Sequence, residues 1–407
     1  MEQLRVGIVG SGLMGREIAT YLAEHGYPVL LKGRKQSDID QFLDTIRKML
    51  LKQLRWGKIS HSEFESRMAS INGTVQFDHR FSEVDIIVES VLEDLDVKRQ
   101  VFQQIEATCS DDTILCTNTS TLSVSEIAHV LRNKRRFLGT HFFQPARYFK
   151  FIEIVPTMET SNTALQSACS LARGIGKKTL MVTDSPGFFF NRIMMTSYLE
   201  AYRALESGEY GIDQIDTMFK KSNFLLGPLH STDMTGVDIF LHSALNLNRV
   251  MPERFDVPVI LQMMVEIGRL GKKSGKGFYN YESDMEIDRE ILAILEECRR
   301  RRSSSTPALF SLEQCLLRIM NEATYCVQEG IVDLEDAESI LRSVPPFAFT
   351  HGLFTYMDEV GIDVIVDKLR ALERAVGERF TPAPMLVELR KKGLTGSKKG
   401  RGFFQHV

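Results

Sequence analysis

A histidine and a glutamate near the middle of the chain have side chains that can move a proton together. His141 stands in GTHFFQPA at the end of an apolar run, and Glu153 stands twelve residues later in FIEIV. A histidine can take a proton at neutral pH, and a carboxylate inside an apolar strand needs a partner. We therefore expect Glu153 to orient His141 and to stabilise its protonated form. The spacing leaves the alternative open that they are a core histidine and a separate edge-strand glutamate.

Neutral hydrogen-bonding residues accompany this pair at three places. Asn118 and Ser120 lie in NTSTLS, at the end of another apolar run, and Asn191 lies where PGFFFNR opens a helix. Such groups can hold a hydroxyl or carbonyl oxygen, although serine and asparagine near turns also serve as helix caps.

A glycine-rich motif follows the first apolar run and opens a helix. The run LRVGIV ends in GSGLMG, which has the GxGxxG spacing of a dinucleotide-binding turn. Its first glycine permits the tight turn, the second lets the backbone approach a pyrophosphate, and the third lets helix and strand pack closely. The helix N-terminus then offers N–H groups to the phosphates. The predicted cofactor-binding residues of this motif are Gly10, Gly12, Leu13, Met14 and Gly15.

The end of the second strand decides between two cofactors. An NAD-binding turn places an Asp or Glu there to hold the ribose hydroxyls. This chain has Gly33, Arg34 and Lys35 after Lys32, so that a glycine leaves room and cations follow. Because cations attract a 2′-phosphate, the turn favours NADP over NAD. The alternative is a solvated turn in an enzyme that uses NAD.

Alternating strand and helix patterns position these residues over roughly the first 183 residues. This alternation predicts an α/β fold with a Rossmann-type doubly wound sheet. KFIEIVP alternates like a strand that is only partly covered, and from Pro186 onward helical patterns dominate. We expect a cofactor domain at 1–183, a helical domain at 184–300 and a second helical domain at 306–407. The polar segment 298–308, CRRRRSSSTPA, is the linker candidate.

The helical half repeats itself. Glu200, Ala201 and Gly208 recur 122 residues later, and a pattern of Gly227, Asp233, Gly236, Asp238 and Gly277-Phe278 recurs 125 residues later. A repeat of about a hundred residues indicates domain duplication rather than a solenoid. The two helical domains are therefore predicted to be tandem homologous copies.

Composition sets the broad class. The chain has 407 residues, a net charge of −3 and 43% hydrophobic residues, which is typical of a folded globular protein. Balanced charge argues against nucleic acid as the main partner, and no run approaches the ~18 apolar residues of a membrane span. The six cysteines form no metal-binding pattern, so that we expect no metal site and a cytoplasmic protein with reduced thiols.

Taken together, these stretches resemble the 3-hydroxyacyl-CoA dehydrogenase family. The matching segments follow the family's order, and they are VGIVGSGLMGREIA, VDIIVESVLEDLDVKRQVF, NTSTLSVSEIA, GTHFFQPARYFKFIEIVP, DSPGFFFNRIM and GKKSGKGFYNY. The second helical copy is similar to the extra C-terminal domain of multifunctional fatty-acid oxidation proteins. We expect no hydratase domain ahead of the dinucleotide strand.

The resemblance implies reversible oxidation of an L-3-hydroxyacyl thioester to the 3-oxoacyl thioester. It implies that His141 is the general base, that Glu153 holds its imidazole, and that Ser120 and Asn191 bond the reacting oxygen. Two further family positions, Glu93 and Lys98, would line the cofactor side together with Asn118. We expect the active site in the cleft between the first two domains, as such sites favour domain interfaces.

Three positions depart from the family's pattern. Gly33 replaces the usual acid, Gln144 replaces the asparagine of HFFNP near the nicotinamide or substrate, and Glu313 stands where the second copy would need a partner for Asn191. The second copy therefore has no complete site. Because the helical domain makes the dimer contact in short family members, the duplicate suggests a monomeric pseudo-dimer, with a looser dimer as the alternative.

Two other functions remain open at this stage. The substrate could be a carrier-protein-bound or otherwise specialised 3-hydroxy acid, because NADP commonly serves reductive synthesis. A cofactor-binding scaffold without catalysis is the alternative of another class, and the intact set of Ser120, His141, Glu153 and Asn191 argues against it.

Overall fold

The computed structural model describes residues 4–222, 224–301, 310–344 and 352–406. By its internal contacts the chain divides after Phe188 into two compact units. The first unit is an α/β domain and the second is built from helices. The predicted fold class is confirmed.

Eight short strands form one sheet in the described part of the first unit. They are Val6–Val9 (β1), Val29–Lys32 (β2), Ile71–Thr74 (β3), Ile86–Glu89 (β4), Ile114–Thr117 (β5), Phe137–His141 (β6), Phe151–Pro156 (β7) and Lys178–Met181 (β8).

The strand order places the functional edge of this sheet. It is β3-β2-β1-β4-β5-β6-β7-β8, and the first six strands of this order are parallel. β7 runs antiparallel to β6 and parallel to β8. The order reverses between β1 and β4, and ligands of doubly wound sheets bind outside the carboxyl ends of the strands at such a reversal.

Six helices accompany the sheet in the described part of the first unit. They are Leu13–Glu24 (α1), Gln36–Arg55 (α2), His61–Ala69 (α3), Leu95–Thr108 (α4), Val124–Ala128 (α5) and Asn162–Gly174 (α6). The polar stretch 36–70 divides between α2 and α3, where Gly57 and Ser60 lie. Ser60 caps α3 by exchanging hydrogen bonds with Glu63, which is the reciprocal capping box.

Sequence patterns missed two strands and misjudged a third. β3 and β8 join the sheet by pairing with β2 and β7, although neither carries a strong strand pattern. β7 was expected to be partly covered, and that expectation is wrong. Its first five residues are buried on both faces, because β6 and β8 flank it and α6 packs on the sheet beside it.

The second unit is mainly helical in its described part, and residues 267–288 form a longer connection with isolated β-bridges. The helices are Phe190–Ser207 (α7), Ile212–Lys221 (α8), Pro228–Thr235 (α9), Val237–Val250 (α10), Val259–Glu266 (α11), Arg289–Arg301 (α12), Leu312–Gln328 (α13), Leu334–Leu341 (α14), Leu353–Val360 (α15), Ile362–Val376 (α16) and Pro384–Lys391 (α17). α7 ends at Gly208, whose φ of 78° suits a glycine cap.

Helix order and buried contacts recur along the second unit. α13 and α14 begin 122 residues after α7 and α8, and α15, α16 and α17 begin 125 residues after α9, α10 and α11. Asp216 accepts two backbone N–H groups in the first turn of α9, and Glu338 does the same for α15. Asp233 and Asp358 each accept two consecutive N–H groups near the end of their segments. Equivalent buried carboxylates therefore hold equivalent turns.

The linker prediction fails at its first four residues. Residues 298–301 end α12 as helix, and Arg299, Arg300 and Arg301 pair with Glu296 and Glu297 of the same helix. Residues 302–308 of the predicted linker, and the predicted start of the second copy at 306, lie outside the described residues. In the described ranges, no helix combines the length and the apolar character of a membrane span.

Candidate functional site

The predicted site residues of the first unit collect at the carboxyl edge of the parallel strands. Gly10 follows β1, Gly33 follows β2 and Asn118 follows β5, while His141 is the last residue of β6. Because neighbouring parallel strands end at the same edge, one side of the sheet presents the glycine turn and His141 together.

His141 and Glu153 are in direct contact, a question that the sequence left open. They are directly opposed in the antiparallel register of β6 and β7, and His141 Nδ1 lies 2.7 Å from Glu153 Oε2. His141 is 4% exposed and Glu153 is fully buried. Since an ionised carboxylate only accepts hydrogen bonds, Nδ1 carries the proton and Nε2 is left as the basic nitrogen.

Aromatic rings enclose the imidazole. Phe143 lies 4.3 Å from the His141 ring and Phe188 lies 5.7 Å from it, measured between ring centroids. His141 and Glu153 therefore lie in apolar surroundings. An imidazolium and a carboxylate attract each other more strongly there than in water.

The glycine turn meets the steric demands of a dinucleotide site. A Cβ on Gly10 would lie 2.2 Å from the carbonyl oxygen of Ser90, and a Cβ on Gly15 would lie 1.9 Å from that of Gly10. A Cβ on Gly12, by contrast, would meet no atom within 4 Å, so that the space in front of its backbone is open. Gly12 caps α1 without any side-chain hydrogen bond. A pyrophosphate can thus approach the backbone there, and Leu13 and Met14 carry the first N–H groups of the helix.

The turn after β2 is closely packed around its glycine. Gly33 is buried, and a Cβ there would lie 2.9 Å from Ile39 Cδ1 and 3.1 Å from Ser11 Cβ. A side chain at position 33 would therefore press against Ile39 and Ser11, so that glycine suits the close packing of this turn. Arg34 and Lys35 are exposed, as expected of cations available to a ligand.

A carboxylate that sequence reasoning missed lies beside the glycine turn. Asp38, in the first turn of α2, accepts a hydrogen bond from Ser11 Oγ at 2.8 Å. Its only signal in the sequence was an acid at a helix start, which ordinarily indicates favourable interaction with the helix dipole. The absence of an acid at 32–35 therefore does not mean that the turn lacks one.

Glu93 organises the loop that carries Ser120. Its Oε1 accepts hydrogen bonds from Thr119 Oγ1 at 2.6 Å and from the backbone N–H groups of Ser120 and Thr121 at 2.8 and 2.9 Å. Burial opposes the charge of Glu93, but Lys98 and these hydrogen bonds outweigh it and lower its pKa to about 2. Glu93 is thus a fixed anion that shapes the Ser120 loop.

Lys98 and Asn118 are also engaged by neighbouring groups. Lys98 is 1% exposed, and its Nζ lies 2.7 Å from Glu89 Oε1 and 3.3 Å from Glu93 Oε2. Burial disfavours its charge, yet the two glutamates raise its pKa. Asn118 Oδ1 accepts the N–H of Phe142, next to His141. Both side chains are thus held in place by neighbouring groups.

The loop after His141 carries Gln144 and is tied down from two sides. The N–H of Ala146 donates to Glu17 of α1 at 2.9 Å, and Lys177 Nζ donates to the carbonyl oxygens of Ala146 and Phe149 at 2.6 and 2.5 Å. Helix α1 and the Gln144 loop are therefore linked by a direct hydrogen bond.

A cavity of about 390 Å³ opens between α1, α2 and this loop. Thr45 and Pro145 are part of its lining, together with Arg16 and Arg147. Arg16 bonds Gln41, and Arg147 pairs with Glu24 at 2.6 Å. The polar rim of the cavity is thus made of groups that already have partners.

Asn191 belongs to the second unit. It is the second residue of α7 and is partly buried. Glu313, its counterpart by position in the second copy, is exposed and pairs with Lys368. That carboxylate is used in a surface ion pair of its own half.

Two family models match the chain. The model "3-hydroxyacyl-CoA dehydrogenase, NAD binding domain" matches residues 5–185. The model "3-hydroxyacyl-CoA dehydrogenase, C-terminal domain" matches residues 187–281 and again 310–406. The matches thus extend over both compact units.

Curated relatives include alpha subunits of fatty acid oxidation complexes. That of Idiomarina loihiensis is 32% identical over 96% of this chain and 55% of its own length. That of Vibrio parahaemolyticus is 31% identical over 98% of this chain and 56% of its own length. The chain therefore spans little more than half the length of these relatives.

Solved structures resemble nearly the whole chain or about two thirds of it. 3-Hydroxybutyryl-CoA dehydrogenase from Escherichia coli K12 covers 97% of this chain, and all of its own, with a TM-score of 0.79 and 25% identity. (S)-3-Hydroxybutyryl-CoA dehydrogenase from Ralstonia eutropha covers 69% of this chain and 99% of its own, with a TM-score of 0.62 and 30% identity.

Proposed function

We propose, on the premise that the chain belongs to the 3-hydroxyacyl-CoA dehydrogenase family, that it interconverts an L-3-hydroxyacyl-CoA and the 3-oxoacyl-CoA. The observation that carries the proposal is the buried contact of 2.7 Å between His141 and Glu153 at the carboxyl edge of the sheet. A short chain of the 3-hydroxybutyryl type is the substrate that the solved relatives favour.

His141 acts on the hydroxyl group of the substrate. Its Nε2 accepts the hydroxyl proton during oxidation and returns it during reduction, as a general base and acid. Glu153 fixes the imidazole in the tautomer that leaves Nε2 basic, and its charge stabilises the imidazolium that results. When bound, the nicotinamide supplies the acceptor for the hydride of C3.

Neutral donors hold the reacting oxygen. Ser120 supplies a hydroxyl group, and Asn191 supplies an amide from the start of α7. Glu93 is a positioning residue, because it fixes the backbone of the Ser120 loop through several hydrogen bonds. A preformed set of donors lowers the barrier because it need not reorganise during the reaction.

The glycine turn of residues 10–15 holds the dinucleotide, and NAD(H) is the cofactor that the family description favours. Gln144 and Asn118 would border its nicotinamide end. A preference for NADP is the alternative, and the exposed cations Arg34 and Lys35 support it. Asp38 opposes it, because its charge lies beside the turn.

The two helical segments are inferred to be duplicated domains that pair within one chain, as a monomeric pseudo-dimer. α7 and α13 pack along each other. Arg254 of the first copy pairs with Glu322 of the second at 3.2 Å, and Arg379 of the second pairs with Glu200 of the first at 2.8 Å. Such reciprocal contacts are typical of an isologous interface.

The reaction is tested by following the oxidation of reduced cofactor in the presence of acetoacetyl-CoA. We expect turnover with NADH that is faster than with NADPH, and faster with the CoA thioester than with the same acyl group on a carrier protein. A protein that binds cofactor but leaves every 3-oxoacyl thioester unchanged would be a scaffold, and the proposal would be wrong.

A further inference from the structure

Asp38 is held against the glycine turn although it lies six positions beyond the end of β2. Its Oδ2 accepts a hydrogen bond of 2.8 Å from Ser11 Oγ, and Ser11 stands between the first two glycines of the motif. The carboxylate is partly exposed. Across the described ranges, no donor bonds its Oδ1. One oxygen of Asp38 is therefore fixed by the turn and the other is available to a ligand.

The first turn of α2 both closes position 33 and carries Asp38. The usual position for an acid is 33, and there a Cβ would lie 2.9 Å from Ile39 Cδ1 and 3.1 Å from Ser11 Cβ. Ile39 is fully packed in the core, so that a side chain at 33 would have to displace it. Asp38 is the neighbour of Ile39 on α2. The helix that closes position 33 thus brings a carboxylate to the same corner.

We infer that Asp38 is the residue that distinguishes the two dinucleotides. Its Oδ1 accepts a hydrogen bond from the 2′-hydroxyl of the adenosine ribose, and its charge repels a 2′-phosphate. This inference rests on the proposed use of a nicotinamide dinucleotide.

The cations of the turn oppose Asp38 but act more weakly. Arg34 and Lys35 are exposed, and neither has an ion pair within the described ranges. Charges on long, solvated side chains are screened by salt and by their own motion. Asp38 is held in place by Ser11, and its effect on a nearby phosphate is therefore larger. Asp38 therefore outweighs the two cations, and the protein binds NADH more tightly than NADPH. Arg34 and Lys35 reduce the size of this difference.

Binding of the cofactor without any thioester tests this assignment directly. Fluorescence titrations with NADH and with NADPH give two dissociation constants and their ratio for each variant. D38N removes the charge at nearly constant shape, and D38S removes both charge and bulk. D40N is the matched control, because Asp40 is exposed on the same helix and bonds only to Gln36 in the described chain.

We expect the ratio of the NADPH to the NADH dissociation constant to fall at least about tenfold in D38N, because a like charge near the phosphate is lost. D38S should change it in the same direction, and D40N should leave it within about twofold. The inference is overturned if D38N and D38S also stay within about twofold, or if the wild-type protein binds neither dinucleotide. A cofactor preference that depends on Asp38, in a protein that does not turn over acetoacetyl-CoA, would instead refute only the proposed reaction.

Discussion

Replacing Glu153 by glutamine should strongly lower the rate of hydride transfer and preserve the fold. The contact between His141 and Glu153 is short, buried and charge-assisted, and such a hydrogen bond contributes about 1.5–3 kcal/mol. Without the charge of Glu153 less imidazolium forms, and an amide that donates to Nδ1 leaves only a neutral Nε2–H, which is a much weaker acid for the reduction. A wrong tautomer in a comparable triad costs about 10⁴ in kcat. We therefore expect kcat for acetoacetyl-CoA reduction to fall by about 10² to 10⁴.

The assay compares initial rates of E153Q and of a control with the same chemical change. Glu159 is an exposed residue in the turn after β7, where it pairs with Lys134 at 3.3 Å. E159Q should stay within about twofold of the wild type, since exposed ion pairs contribute little. Circular dichroism and NADH titration would verify folding and cofactor binding. If folded E153Q kept more than a third of the wild-type kcat, Glu153 would not support the base, and the reasoning would be refuted.

Three further changes probe other parts of the structure. R379A should lower the free energy of unfolding by about 2–3 kcal/mol, because Glu200 stays buried with one cation fewer; urea denaturation measures this, and an unchanged midpoint would contradict the account. E93Q should reduce kcat/KM at least about tenfold with NADH binding retained, because the Ser120 loop loses charge-assisted hydrogen bonds; equal rates would argue against a positioning role. Burial, aided by Lys150, lowers the pKa of Lys177 from 10.5 to about 8. Between these two pH values the unfolded chain binds more protons than the folded chain, and the free energy of unfolding therefore rises with pH. Urea denaturation from pH 8 to 10.5 should show a steeper rise for the wild type than for K177M, and parallel curves would exclude such a titration.

The framework of the site was predictable because it depends on local patterns. The apolar run of β1, the glycine turn and the start of α1 follow one another in the sequence, and each is specified by residues within a few positions. The same holds for α7, whose end at Gly208 is marked by a glycine that adopts a positive φ.

Features that depend on pairing were less accessible. β3 reads INGT, in which Asn-Gly is a turn signal, and only its pairing with β2 makes it a strand. The contact between His141 and Glu153 depends on the antiparallel register of β6 and β7, which a spacing of twelve residues does not specify. Asp38 contacts Ser11 because the first turn of α2 lies beside the glycine turn. A search confined to the end of β2 could not find it.

The most direct test of the central claim is the rate of H141Q with acetoacetyl-CoA and NADH. Removing the group that donates the proton in this direction should lower kcat by about 10² to 10⁴, the usual contribution of general acid–base catalysis, while titration shows that NADH still binds. An H141Q protein that reduces acetoacetyl-CoA as fast as the wild type would contradict the assignment of His141 and, with it, the proposed mechanism.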